Sequence, residues 1–414
     1  MNQNNLFLFL ILLLIILLTN CQKKENTIAE GFSNDQSGEY LTWSIKMADS
    51  EIARRGNSLM YGGSDTKEKW RYTTGLFLKS LLELREVTGK ARYFEYAKKV
   101  IDSFVEENGD IKTYKMEDYN LDKINSGKVL LKLYQITSEE RYKQAANLLR
   151  EQLKYQPRTS EGGFWHKKHY PWQMWLDGIY MSNPFYAEYG SLFGEHEIFD
   201  DVLKQIKMLD THTRDPQTGL RYHAWDESNK QAWANPVTGC SPHFWGRAMG
   251  WYSMALVDVL DYIPDTYENR KQIIFILTDL LKAIKDYQDD SGLWYQIIDM
   301  GDRPGNYLES SCSAMFVYTI AKSLNKSYID ESYRSVAIAA YNGLINKKIS
   351  MEPDDGAISL NGICEVAGLG GDPYRDGSYQ YYISEPVVSN DLKGVGPFIM
   401  AGIQMNNLDG HGSE

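Results

Sequence analysis

The segment "QMWLDGIYMSNPFYAEY", residues 173–189, holds one aspartate among aromatic and aliphatic side chains. Asp177 is the only acidic residue between Glu161 and Glu188. Carboxylates are seldom left in such apolar surroundings unless a partner or a chemical role keeps them there. Loss of hydration raises the pKa of a carboxyl group, which suits a general acid at neutral pH. The structural alternative is a helix N-cap, where aspartate accepts backbone N–H groups.

A second aspartate, Asp122, begins a predicted helix in "LDKINSGKVLL". Helix capping and an ion pair with Lys123 are both open interpretations of this residue. If Asp122 and Asp177 lie on adjacent helices, one carboxyl can donate a proton while the other holds or activates water. The two aspartates are therefore the predicted catalytic pair.

Three histidines are also candidate functional residues. His223 in "RYHAWDES" is either a core histidine or a donor that binds a ligand carboxylate or positions water. His166 and His169 in "WHKKH" have a spacing that a helix can use to bind a metal ion. Because no third ligand is close and Pro171 follows, we predict no metal site and no cofactor.

Arg247 lies in the apolar stretch "FWGRAMGW". Arginine is rarely placed there without a counter-anion, which is either a protein carboxylate or a ligand. Glu309 in "NYLESS" is a candidate for that counter-ion or for a helix cap.

Aromatic residues are abundant, with 29 Tyr, 14 Phe and 10 Trp, and eight of the ten tryptophans fall between Trp165 and Trp294. A large aromatic core explains most of them. The sharper interpretation is a pocket whose ring faces stack on sugars. The candidate substrate-binding aromatics are Tyr72, Trp175, Trp245 and Trp251.

The elements that must position these residues are helical hairpins. Apolar spacing predicts pairs at 72–88 with 91–109, 121–137 with 139–155, 173–193 with 196–212, 243–262 with 267–288, 307–325 with 329–346, and 394–407 with 39–55. Ser138 is predicted to cap the helix that follows it. Only short pieces such as "GLRYHAW" and "GLWYQII" have a strand pattern.

Within each pair one helix is rich in Gly, Ala, Ser and aromatics, and the other is amphipathic. That difference predicts a closed two-layer ring, an all-α (α/α)6 barrel, with a superhelical solenoid as the alternative. In such a ring the inner helices point their N-termini to one end. The loops that carry the candidate residues precede those helices, so we expect one site at that end.

The charge balance constrains the partners. The 414 residues carry 44 basic and 55 acidic side chains, net −11, and no run of Lys or Arg exceeds two residues. These features argue against nucleic acid as a partner. They also disfavour a long polyanion, although a small anionic group can still find a local basic pocket.

The N-terminal segment "LFLFLILLLIILLTNC" has the length of a signal-peptide apolar region. Its end resembles a bacterial lipobox with Cys21 as the lipidated residue, and an uncleaved anchor is the alternative. We predict a signal over residues 1–21, a tether over 22–37 and one catalytic domain over 38–408, exported to the cell envelope (periplasm or outer membrane) with a membrane contact only through the lipid. The remaining cysteines, Cys240, Cys312 and Cys364, are predicted to be buried thiols.

Five stretches together resemble glycoside hydrolase family 105, the unsaturated rhamnogalacturonyl hydrolases, and more distantly the family 88 unsaturated glucuronyl hydrolases. They are "YPWQMWLDGIYMSNPFYAEY", "GLRYHAWDES", "FWGRAMGWYSMALVDVLD", "GLWYQIID" and "GNYLESSCSAMFVYTIAK". They keep their order, and the likeness covers about residues 40 to 405.

The resemblance implies an (α/α)6 barrel without metal or organic cofactor. Its implied substrate is an oligosaccharide, as short as a disaccharide, that ends in a 4,5-unsaturated uronic acid left by a polysaccharide lyase. An acid protonates C4, water adds at C5, and the resulting hemiketal opens and expels the remaining sugar. By position, Asp177 matches the general acid/base and Asp122 the second acid. His223, Arg247 and Trp251 match residues that line the subsite for the unsaturated ring.

Other functions stay open on the sequence alone. Another (α/α)6 enzyme, such as a lyase, a sugar epimerase or an inverting glycosidase, is the nearest rival. A lipid-anchored glycan-binding protein belongs to a different class, and the tryptophans alone would suffice for it. The uronic acid is also open between rhamnogalacturonan and ulvan fragments.

Overall fold

The computed structural model describes residues 38–56, 68–354 and 356–410. The predicted signal, Cys21 and the tether lie outside the described residues and stay predictions. The described chain forms thirteen α-helices: α1 Glu39–Arg55, α2 Tyr72–Thr88, α3 Ala91–Asp102, α4 Gly127–Thr137, α5 Glu140–Tyr155, α6 Leu176–Phe193, α7 Ile198–Thr213, α8 Gly246–Val259, α9 Arg270–Asp286, α10 Ser310–Asn325, α11 Arg334–Lys348, α12 Tyr379–Ser384 and α13 Leu392–Leu408.

Twelve of these helices form two concentric layers. The inner layer is α2, α4, α6, α8, α10 and α13, each packed against its neighbours, and the outer layer is α1, α3, α5, α7, α9 and α11. The ring closes where α13 packs against both α2 and α1, the first helices of the chain. An open solenoid has no such contact between its ends, so the predicted (α/α)6 barrel is confirmed.

The inner helices are buried more completely than the outer helices, as their compositions predict. Every residue of α6 from Gly178 to Gly190 is buried, whereas α7 buries one face and exposes the other. Small residues let the inner helices approach closely. A Cβ atom on Gly75 of α2 would lie 2.4 Å from the Cα of Ser126, at the start of α4, so only glycine fits there.

Short strands precede two of the helices and support the site. Strands β1 (Gln173–Trp175) and β2 (Ala224–Asp226) pair in antiparallel fashion, with Trp175 opposite Ala224. Residues 173–175 were predicted as helix, and that prediction is wrong, because the backbone there bonds to β2 and turns helical only at Leu176.

Two further predictions at helix ends need correction. The helix predicted from residue 121 begins at Gly127, because Leu121–Lys123 forms a separate 3-10 turn capped by Asn120. Ser138 does not cap α5. It has a left-handed backbone conformation (φ 58°), and its N–H closes α4 on the carbonyl of Tyr134.

A long connection joins α11 to α13 across the end of the ring that bears the inner-helix N-termini. It contains β3 (Ile349–Met351), β4 (Ile358–Leu360), β5 (Ile363–Cys364), α12 and β6 (Val387–Val388), with β3 paired to β4 and β5 to β6. The prediction of buried free thiols is confirmed for Cys240, Cys312 and Cys364. Among the described residues, no helix is long and apolar enough to cross a bilayer.

Candidate active site

Each inner helix places a polar or charged side chain at or just before its N-terminus. In ring order these are Tyr72, Asp122, Asp177, Arg247, Glu309 and Asp391. The Tyr72 hydroxyl lies within electrostatic range of four of the others, because Asp122, Asp391, Arg247 and Asp177 all perturb its pKa. The candidate residues of the sequence therefore meet at one end of the barrel.

Asp177 is the second residue of α6, and the N-cap position is occupied by Trp175. The capping alternative for Asp177 is thus excluded. Its side chain is 14% exposed, and its Oδ2 atom has no hydrogen-bond partner among the described residues. Nε2 of His223 lies 3.2 Å from that oxygen, without the alignment of a full hydrogen bond. Catalytic contacts are often loose in this way before substrate binds.

His223 is fully buried beside Asp177. Its backbone carbonyl accepts the N–H of Leu176 at 3.0 Å, so the strand that carries the histidine is tied to the start of α6. On the other side of the ring, Nδ1 lies 2.8 Å from the hydroxyl of Tyr382. The imidazole is therefore held between a phenol and a carboxyl group.

Asp122 has a different environment. Lys167 Nζ lies 2.6 Å from its Oδ2, and His166 Nε2 lies 3.4 Å from its Oδ1. Burial raises the pKa of Asp122, but the charge of Lys167 outweighs it and holds the pKa below its usual value. The predicted pair with Lys123 is wrong, because the ammonium of Lys123 donates to the carbonyl of Trp70 at 2.6 Å. Asp122 is ionised at neutral pH.

His166 is a neutral neighbour of both aspartates. Burial lowers its pKa to about 4, although Asp122 opposes the shift. Its ring stacks on Trp175 at 4.6 Å. A Cβ atom on Gly178 would lie 3.0 Å from its Nδ1, which explains why glycine follows Asp177 in "WLDG". His169 instead packs against the ring of Tyr170.

Tyr72 is a half-buried residue at the start of α2, packed edge-on against Trp251 at 6.2 Å. Burial, Asp122 and Asp391 raise its pKa, so the phenol keeps its proton. The structure records no hydrogen bond from its hydroxyl to the described residues. Tyr72 can therefore offer that hydroxyl to a ligand.

The three candidate tryptophans are buried, with 1% to 5% of their surface exposed. Trp175 is stacked between His166 and Tyr170, Trp251 stacks on Tyr180 at 4.9 Å, and Trp245 packs against His223 and Tyr382. The indole N–H of Trp175 donates to Gln173, and that of Trp245 donates to Gln296. In the structure the three rings form walls of the site, and their predicted role as stacking faces for a sugar stays a prediction.

The sequence left the counter-anion of Arg247 open, and the structure shows that it is a protein carboxylate. Its Nη2 lies 3.2 Å from Glu309 Oε1, and its Nε donates to Ser311 at 2.7 Å. Glu309 also accepts the N–H of Cys312 at 2.7 Å and thereby caps α10. Glu309 is thus both cap and counter-ion. Only Nη1 of Arg247 is weakly engaged, at 3.4 Å from the carbonyl of Glu365.

Sequence reasoning missed two members of the site. Lys167 sits inside "WHKKH", where attention to the histidines as metal ligands hid the lysine that pairs with Asp122. Tyr382 lies on the short helix α12, and nothing in "SYQYYIS" distinguishes it from its neighbouring tyrosines. Both residues lie outside the inner helices, on connecting segments that pack onto this end of the barrel.

The arrangement supports acid–base chemistry. One carboxyl, Asp177, has no Lys or Arg partner among the described residues and faces the ring of His223, whereas the other, Asp122, is kept ionised by Lys167. Two carboxyl groups in unlike environments can divide the roles of proton donor and water-activating base.

Comparisons with known proteins agree with this architecture. The family model for Glycosyl Hydrolase Family 88 matches residues 43–408. A solved family 105 glycoside hydrolase from C. acetobutylicum ATCC 824 is 45% identical, with a TM-score of 0.84, over 88% of this chain and 99% of that one.

More distant relatives extend the comparison. An unsaturated rhamnogalacturonyl hydrolase of Bacillus subtilis strain 168 is 28% identical over 275 residues, which cover 64% of this chain and 75% of the relative. A solved unsaturated glucuronyl hydrolase specific for heparin shares only the fold, at 14% identity and a TM-score of 0.66 over 90% of this chain and 98% of that one. By its family match over residues 43–408 and its 45% identical relative, the chain belongs to the group of glycosyl hydrolase families 88 and 105 and is a glycoside hydrolase.

Proposed function

We propose that the protein removes a 4,5-unsaturated uronic acid from the non-reducing end of lyase-generated oligosaccharides by hydrating the C4=C5 double bond. The observation that carries this proposal is the unlike pair of carboxyl groups. Asp177 has no Lys or Arg partner among the described residues, and Asp122 is paired with Lys167. The likeness to an unsaturated rhamnogalacturonyl hydrolase supports the same substrate class.

The proposed chemistry begins with the vinyl ether of the unsaturated ring. Asp177 donates its proton to C4, and the positive charge that develops at C5 is shared with the ring oxygen and stabilised by the nearby ionised Asp122. Water, held by Asp122, adds its oxygen to C5 and returns a proton to Asp177. The C5 hemiketal then opens, and the hemiacetal left at C1 expels the rest of the oligosaccharide as an alcohol.

The uronate carboxylate at C5 requires donors near the two aspartates. Arg247 Nη1 and the Tyr72 hydroxyl are two donors with spare capacity among the described residues of the site. The net charge of −11 favours short fragments over long anionic polymers. We propose rhamnogalacturonan disaccharides as the first substrate class, with ulvan fragments that end in unsaturated glucuronyl-rhamnose as the second.

The test uses protein lacking residues 1–21 and disaccharides that differ only in the C4=C5 bond. The conjugated double bond absorbs near-ultraviolet light, and we expect the enzyme to remove that band from the unsaturated member while leaving the saturated member uncleaved. Equal cleavage of both members would indicate an ordinary glycosidase. Growth of the band on intact polysaccharide would indicate a lyase. Persistence of the band across pectic, ulvan-derived and glycosaminoglycan disaccharides would refute the proposal.

A further inference from the structure

We infer that Tyr382 is a positioning residue that fixes the tautomer of His223, so that the imidazole presents an Nε2–H group to the carboxyl of Asp177. This inference rests on the proposed function for its kinetic consequence. Its structural part stands on the contacts of the three side chains alone.

The first step is the state of the Tyr382 hydroxyl. The residue is fully buried, and burial raises the pKa of its phenol well above the usual value, so it keeps its proton. Among the described residues, Nδ1 of His223 at 2.8 Å is the only hydrogen-bond partner of that hydroxyl. A buried O–H without an acceptor is costly, and therefore the phenol donates to Nδ1.

The second step follows from the chemistry of imidazole. A neutral ring carries one N–H, and Nδ1 cannot both accept from Tyr382 and hold that proton. The proton therefore lies on Nε2, which faces Asp177 Oδ2 at 3.2 Å. An N–H at this position stabilises the carboxylate that forms when Asp177 gives its proton to the substrate, and so acts mainly in the transition state.

The third step is that Tyr382 is held rigidly. Ser378 caps α12 by accepting the N–H of Tyr381, and the amide of Gln296 donates to the carbonyl of Tyr382 at 3.1 Å. The same Gln296 accepts the indole N–H of Trp245, whose ring packs against His223. The phenol and the imidazole are thus fixed relative to each other from two sides.

Other titratable groups surround this arrangement and must be considered in a pH profile. The charge of Asp177 perturbs the pKa of Tyr72 on α2 and of His166 on the loop before β1. The pKa of Tyr382 is also perturbed by its neighbours on the long connection. The titratable and charged groups around these three side chains among the described residues include Tyr72, Asp122, His166, Lys167, His243, Arg247, Cys364, Arg375, Tyr381 and Asp391. None of them contacts His223 Nδ1, so the change Tyr382→Phe removes one donor only.

The kinetic test compares Tyr382→Phe with Tyr379→Phe. Tyr379 lies on the same helix, and its hydroxyl donates to the carbonyls of Arg303 and Pro304, away from His223. For Tyr382→Phe we expect kcat on an unsaturated disaccharide to fall about tenfold, the scale of one hydrogen bond to a charged group, with KM within about twofold. We also expect the high-pH limb of the kcat profile to move to higher pH, because the carboxylate is less well stabilised. Tyr379→Phe should change neither.

A spectroscopic measurement tests the tautomer of His223 without any substrate. In protein with 15N-labelled histidine, His223 should show a proton on Nε2 and none on Nδ1, and this pattern should be lost or mixed in Tyr382→Phe. A wild-type Nδ1–H tautomer would overturn the inference even if the enzyme is active. An unchanged kcat and pH profile in the folded variant would do the same. If no unsaturated disaccharide is turned over, the proposed function fails while the tautomer is still measured.

Discussion

Two groups of ionisable side chains lie inside the same ring of helices, and they differ in whether lysines neutralise their carboxyl groups. At the end that bears the inner-helix N-termini, Asp177 has one carboxyl oxygen without a hydrogen bond and no Lys or Arg partner, within the part of the chain that the structure describes. Deeper in the ring lies a second group, the deep cluster, which consists of Lys79, Lys128, Glu188, Asp258 and Lys322.

In the deep cluster the central carboxylate is neutralised within the protein. Lys322 Nζ and the Tyr318 hydroxyl each lie 2.7 Å from Asp258 Oδ1, and Lys79 Nζ lies 3.7 Å from Oδ2. Burial raises the pKa of Asp258, but Lys322 and Lys79 outweigh it and lower the pKa strongly. The comparison separates a buried carboxylate that two lysines neutralise from the carboxyl of Asp177, which has no Lys or Arg partner among the described residues.

The change Asp177→Asn gives the largest expected effect. We expect kcat to fall about a hundredfold to ten-thousandfold, the scale of general acid–base catalysis, because the amide cannot protonate C4. Since Asp177 has no protein cation to leave unpaired, the urea midpoint of unfolding should stay close to that of the wild type. Steady-state kinetics and urea titration measure the two quantities. Near-normal turnover would remove Asp177 from the mechanism and end the contrast with the deep cluster.

The change Asp258→Asn should lower the stability of the fold and leave turnover unchanged. Loss of this charge leaves Lys322 and Lys79 with less compensation in a buried site, and breaking such a group costs about 3 kcal/mol of unfolding free energy. The remaining pair of Lys322 with Asp261, at 2.6 Å, limits the loss. Turnover per folded molecule should be unchanged, which an assay well below the melting temperature checks. A large loss of kcat at full folding would mean that the deep cluster takes part in catalysis.

The smallest expected effect comes from Lys128→Met. The Lys128 ammonium lies 3.7 Å from the Tyr180 ring centroid, and its Nζ has no hydrogen-bond partner among the described residues. Burial lowers its pKa from 10.5 to about 7, although Asp258 and Glu188 oppose the shift. The unfolded chain therefore binds more protons than the folded one between pH 7 and 10.5, and wild-type stability from this group rises with pH through that window.

Methionine fills a similar volume without a charge, so we expect Lys128→Met to be more stable by about 2 kcal/mol at pH 7. The advantage should shrink as the pH approaches 9.5. Thermal melts of both proteins at the two pH values make the comparison. A destabilised variant, or an advantage that grows with pH, would contradict the assignment of Lys128 as an unpaired buried amine.

The sequence predicted the barrel well because its signal is local. Helical spacing and the contrast between small and amphipathic helices are properties of short segments, and the six inner helices follow from them. Asp177 and Arg247 were singled out because charges in apolar segments are conspicuous, and Asp122 because it begins a predicted inner helix.

The remaining features depend on contacts between distant segments. Lys167 reaches Asp122 across 45 positions, as the residue numbers show, and Tyr382 reaches His223 across 159. Residues 173–175 were mistaken for helix because their partner strand lies at 224–226. The burial of the tryptophan faces likewise depends on rings from other loops. No local pattern encodes such pairings.

The closure of the ring by its two ends has a consequence for the timing of synthesis. Ser44 of α1 donates to the carbonyl of Ile399 of α13, two residues 355 positions apart. Tyr382 lies only ten residues before the start of α13, as their numbers show. Until the ribosome has made α13, the barrel is open, and until it has made α12, His223 lacks its phenol. The ring and the arrangement around His223 are therefore completed almost together, in one step after most of the barrel has been synthesised.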